Sequence, residues 1–235
     1  MTYRTTSFLS LVVAFLFITC GGDDDAAEPT PGAEQADGAQ IIADASAAVA
    51  NLESFHFVLT QEDATIPIPP NFDLEGAEGD VVMPDRLAAE MQTDVEGINV
   101  SVDAIAIGPD TWITNPFTRR WQQLDGVDFR EYADLGALLP ALLPAIQDPR
   151  VTGETTLDGV PVYQIEGTAN SADLQDALAF SLPDREVEIE LWLGKDDSLP
   201  RRARVIGQLI SGESQDAVRQ VDLSRINQPV EINPP

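Results

Sequence analysis

The chain has 235 residues, 43% of them hydrophobic, which suits one domain with a real core. Its 40 acidic against 13 basic residues give a formal net charge of -27. That excludes broad electrostatic docking on nucleic acid or on an anionic membrane, since both need clustered Lys and Arg.

Residues 1–7 carry one positive side chain, Arg4, and no acidic one, and residues 8–18 are almost wholly apolar. A short basic end and an apolar run of this length predict a secretory signal over residues 1–19, too short for a comfortable membrane span. Thr19-Cys20-Gly21-Gly22 follows at once, and Cys20 is the only cysteine. The segment resembles the lipobox of bacterial lipoproteins, in which a small residue precedes a cysteine that is lipidated and becomes the new N-terminus. Thr19 is larger than the usual Gly, Ala or Ser, and Phe17 stands where Leu is usual. The alternatives are an uncleaved anchor or an ordinary cleaved signal with a chance cysteine at its end. The lipobox resemblance implies an N-terminal lipid anchor on Cys20 and a domain on the outer, extracytoplasmic face of the cell membrane. It also leaves no thiol for a disulfide, which a domain of this size can do without.

Residues 20–38 then read as the lipidated cysteine and an acidic tether. The stretch is polar, interrupted by proline, and has nothing to bury. Over residues 39–52, Ile41, Ile42, Ala45, Ala48, Val49 and Leu52 share one side at helical spacing, with Asp37 near the N-terminal end. Residues 54–61 predict a strand with Phe55, Phe57 and Leu59 on one face, and residues 65–70 a proline-rich loop. Residues 79–83, 86–96 and 98–107 predict further strands; the second places Leu87, Ala89, Met91, Thr93 and Val95 on one face. Residues 111–114 and 121–124 pair around a turn at Asn115-Pro116-Phe117-Thr118.

The character changes over residues 134–147. Leu135, Leu138, Leu139, Leu142, Leu143 and Ile146 repeat at helical spacing, while Pro140 and Pro144 predict two short pieces divided by a kink. Strands resume at 150–157 and 160–168 around Asp158-Gly159, a hairpin signal. Residues 172–180 predict a short helix capped by Ser171. In 186–193, Val187, Ile189, Leu191 and Leu193 face in, and Glu186, Glu188 and Glu190 face out. Residues 201–210 and 217–226 are the last strands, and 229–235 a tail. No βαβ rhythm appears, so the sheet is expected to be antiparallel.

Several of these features run in order: the lipobox-like Cys20; Leu52-Glu53-Ser54-Phe55-His56-Phe57; Thr111-Trp112-Ile113 with Trp121; the Leu/Pro segment; Leu157-Asp158-Gly159-Val160-Pro161-Val162-Tyr163 and Ile165-Glu166-Gly167; Val187 to Trp192; and Leu199-Pro200-Arg201-Arg202. In that order they resemble the mycobacterial lipid-carrying lipoproteins (LppX/LprG-like), which share a fold with the periplasmic lipoprotein carriers. The resemblance implies an α+β fold: a strongly curved antiparallel β-sheet, an open half-barrel, with helices covering the concave side over residues 39–228. It implies that the acyl chains of a lipid or glycolipid lie in an apolar cavity and are moved across the cell envelope, with an envelope transporter as a further partner. Phe55, Phe57, Leu59, Met91, Leu135, Leu138, Leu139, Leu142, Leu143 and Ile146 are the cavity candidates. The Leu/Pro segment serves equally well as a mobile lid or as ordinary core packing.

The other reading is an envelope sensor or assembly factor that binds a protein partner through the same fold. An enzyme is not expected, because no metal-ligand spacing, phosphate loop or nucleophile elbow is present, and no cofactor or metal is expected either. His56, the only histidine, reads as structural, on the strand face opposite Phe55 and Phe57. Arg119 and Arg120, before Trp121, read as a solvated turn, with contact to an anionic head group as the lesser alternative.

Overall fold

The computed structural model describes residues 37–68, 72–95, 97–129, 135–175, 178 and 181–235. The expected signal sequence, Cys20 and tether residues up to 36 lie outside the described residues, as do residues 176, 177, 179 and 180 of the expected 172–180 helix. Gln35–Pro235 forms one compact unit.

Helix α1 spans Gly38–Val49, and Asp37 is its N-cap, accepting a hydrogen bond from the Ala39 N–H at 3.0 Å. Gly38 belongs to the helix. A Cβ there would lie 2.4 Å from the Pro149 carbonyl oxygen, so glycine lets the two backbones touch.

The strands are β1 Ser54–Glu62, β2 Ile66–Ile68, β3 Phe72–Val82, β4 Arg86–Val95, β5 Ile98–Ile107, β6 Asp110–Thr114, β7 Trp121–Gln123, β8 Gln147–Leu157, β9 Val160–Asn170, β10 Glu186–Gly194, β11 Pro200–Ile206 and β12 Val218–Ser224. They form one 12-stranded sheet in the order β7-β6-β5-β4-β3-β1-β12-β11-β10-β9-β8, with the short β2 beside β3. Neighbouring strands run antiparallel, and β7 and β8 are the open edges.

Period-two alternation explains the inner face: Phe55, Phe57 and Leu59 on β1, and Val187, Ile189, Leu191 and Leu193 on β10, are buried. Bending comes from irregular ladders. The β3–β4 register shifts between Leu74 and Gly76, and the β8–β9 register shifts twice. At Gly79 a Cβ would sit 2.2 Å from the Ala88 carbonyl oxygen, so β3 and β4 approach there as only glycine permits. The result is the expected open, curved sheet with helices on its concave side.

Helix α2, Leu135–Ala145, runs as one element and not as two pieces. Both prolines lie inside it, and burial of Leu139, Leu142 and Leu143 offsets the hydrogen bonds they remove. Three further expectations need correction. Residues 65–70 contain a strand, because Ile66 and Ile68 bury on one face of β2 while Pro67 points out. Where the 172–180 helix is expected to begin, the described residues form a 3₁₀ turn over Ser171–Leu174, capped by Asn170. The Ser171 hydroxyl instead donates to the Leu182 carbonyl at 2.6 Å. Finally, β11 stops at Ile206: Gly207 takes a φ of 138°, and the chain turns Leu209 inward. In the C-terminal stretch Ile232 is buried, and its carbonyl accepts from Arg86 Nη1 at 2.8 Å.

Candidate functional site

The concave face of β1, β3, β4, β11 and β12 does not pack fully against α2. A cavity of about 110 Å³ remains between them, lined also by Ile66 and Ile68 of β2 and by Leu209. Its walls are apolar apart from one residue. Phe55, Phe57 and Leu59 come from β1, Leu87, Ala89 and Met91 from β4, Val221 and Leu223 from β12, and Leu138, Leu139 and Leu142 from α2.

The structure thus brings Phe55, Phe57, Leu59, Met91, Leu138, Leu139 and Leu142 to one cavity. Leu143, in α2, and Ile146, just past its end, are buried in the core but do not line it. The side chain of Leu135 lies outside the described residues.

The exception in the wall is Arg219, which sequence reasoning missed. On β12 it alternates with Val221 and Leu223 and points to the concave face. It forms an ion pair with Glu213 in which the two side chains are only 7% and 6% exposed. Glu213 Oε2 also accepts from the backbone N–H groups of Leu209 and Ile210, at 3.2 and 2.8 Å. All bonds of the guanidinium to protein use Nη2, which also reaches the Thr65 carbonyl at 3.4 Å. Nε and Nη1 have no partner. Opposite, Gln61 pairs in register with Arg219, and its buried Oε1 also lacks a donor. Burial draws the Arg219 pKa below its ordinary value, against the pull of Glu213.

His56 lies on the other face of the sheet. Its Nδ1 is 3.0 Å from Asp80 Oδ1 and close to Arg225, and its Nε2 is 3.3 Å from Glu78. Arg119 donates to Asp103 Oδ2 at 2.8 Å and to the Ser101 carbonyl, so it is tied to β5; neither it nor Trp121 lines the cavity. Among the described residues no group of acidic, His or Cys side chains is arranged to hold a metal, and no helix is long and apolar enough to cross a membrane.

A family model for the LppX_LprAFG lipoproteins matches residues 37–232. The chain belongs to this family. The match spans α1 through Ile232, so it covers the whole sheet and every wall of the cavity. Among curated relatives, LprF of Mycobacterium tuberculosis and of Mycobacterium bovis, named as a candidate diacylated glycolipid transporter, is 24% identical over 96% of this chain and 90% of its own. The crystal structure of LprF from Mycobacterium bovis superposes with a TM-score of 0.67 at 18% identity, over 84% of this chain and 96% of that one. Mycobacterium tuberculosis LppX superposes with a TM-score of 0.58 at 17% identity, over 83% and 97%. At these identities the solved structures establish the shared LppX_LprAFG fold and nothing narrower.

Proposed function

We propose that this lipoprotein binds the acyl chains of a lipid or glycolipid between the sheet and α2, and helps move them across the cell envelope. In this reading Cys20 carries the lipid that anchors it to the outer face of the cell membrane. The observation that carries the reading is the apolar cavity on the concave face, with α2 as one of its walls. An acyl chain is held by apolar area alone, at roughly 0.8 kcal/mol per buried methylene, and asks for no catalytic group. A cavity of about 110 Å³ is smaller than one of ~150 Å³ that takes a benzene ring. A full acyl chain therefore enters only as α2 moves outward, and the helix-weakening Pro140 and Pro144 suit it to move. The name of LprF points to the same cargo class.

Native mass spectrometry tests this on the chain from Gly21 to Pro235, purified without detergent; it retains the compact unit whole. Adducts in the mass range of phospholipids or glycolipids, lost on organic extraction, are expected. A single bare mass that takes up no added lipid would overturn the reading and favour a protein partner as the occupant of this fold.

A further inference from the structure

Arg219 has a feature that apolar packing does not explain. A guanidinium carries five N–H bonds. Those on Nε and Nη1 meet no acceptor, although the residue is 6% exposed and stands in the wall of the cavity. Buried donors left unpaired are costly, and a ligand oxygen would satisfy them.

The charge of that oxygen follows from Glu213. The pair it makes with Arg219 is already neutral, and it is withdrawn from water. A carboxylate or phosphate entering the cavity would leave one uncompensated negative charge in an apolar site, on a protein whose net charge is -27. A neutral acceptor needs no counter-charge. We infer that Arg219 is the polar anchor of the cavity and takes the ester carbonyl of a neutral acyl ester, such as an acylated polyol, with the chain lying along Val221 and Leu223 toward Phe57. This rests on the reading of the cavity as an acyl site and adds the chemical class of its ligand. On β12, Arg219 and Leu223 are about 13 Å apart along the strand, so carbonyl and chain have separate places.

The test is competition with Nile red for the Gly21–Pro235 chain, using methyl laurate, dodecane and, at pH 8, laurate. Methyl laurate is expected to compete about tenfold or more better than dodecane, the worth of one hydrogen bond from a charged donor. It should also outcompete laurate. Arg219→Met combined with Glu213→Gln, which leaves no unpaired charge, should bring methyl laurate and dodecane to parity while both still bind. Equal competition by the ester and the alkane in the wild-type chain would overturn the anchor and leave the acyl cavity standing. Tighter binding of laurate would overturn the preference for a neutral ester. Failure of every compound, Nile red included, would remove the acyl cavity and the anchor with it.

Discussion

At the scale of single residues, the Arg219–Glu213 pair stabilises the fold little for its depth. Taking two charges out of water costs several kcal/mol per ion, and their attraction repays that only with good hydrogen bonding. Here the guanidinium N–H bonds on Nε and Nη1 meet no acceptor. Burial lowers its pKa in the folded protein, so the unfolded chain holds that proton more tightly. The ionised side chain therefore detracts from stability throughout the neutral range, and the deficit is relieved only as pH rises through the depressed value. Removing one partner is worse than removing both. Glu213→Gln should cost about 3–5 kcal/mol in urea unfolding, because Arg219 is then buried unpaired. Adding Arg219→Met should recover most of that loss. An unchanged midpoint in the single variant would show that the pair is open to water. Arg219 could have been found from the sequence. In residues 217–226 alternation puts it on the same face as Val221 and Leu223, but the pattern alone does not mark a charged residue as buried.

At the scale of elements, sequence reasoning worked where one face is wet and the other dry. The alternation of β5 and β10 set their bounds within a residue, and Asp158-Gly159 marked its hairpin because both residues take positive φ, 50° and 84°. It failed where tertiary packing decides. Ile66-Pro67-Ile68 is too short to show a period, and α2 is continuous only because its leucines are buried. Core and cavity make separate predictions. Leu143 is buried in the core and does not line the cavity, so Leu143→Ala should cost about 2–5 kcal/mol in unfolding with Nile red uptake unchanged. Ala89 lines the cavity floor on β4, so Ala89→Phe should fill it. Probe uptake should then fall about tenfold or more, the worth of two methylenes, with a stability change of no more than about 1–3 kcal/mol. Unchanged uptake in the Ala89 variant would place the ligand elsewhere.

At the scale of the whole molecule, the question is what holds so acidic a protein at a membrane. The family match begins at residue 37, so it covers the domain and not the anchor. A net charge of -27 makes the chain repel an anionic surface, and no described helix is long and apolar enough to span one. If the protein sits on a membrane, the first 36 residues must supply the attachment, and Cys20 is their one site for a thioether lipid. A lipid anchor differs from charge pairing in its response to salt. At 1 M the screening length is about 3 Å, which releases electrostatic attachments and leaves buried acyl chains in place. The protein should therefore stay in the membrane fraction through a 1 M salt wash. Cells fed an alkyne analogue of palmitate should label the wild-type chain, and Cys20→Ser should abolish the label. A labelled Cys20→Ser variant would put the lipid on another residue. An unlabelled wild-type chain that resists the wash would make residues 8–18, left uncleaved, the anchor. That outcome would still leave the cavity on the outer face, because the same apolar run would have exported it.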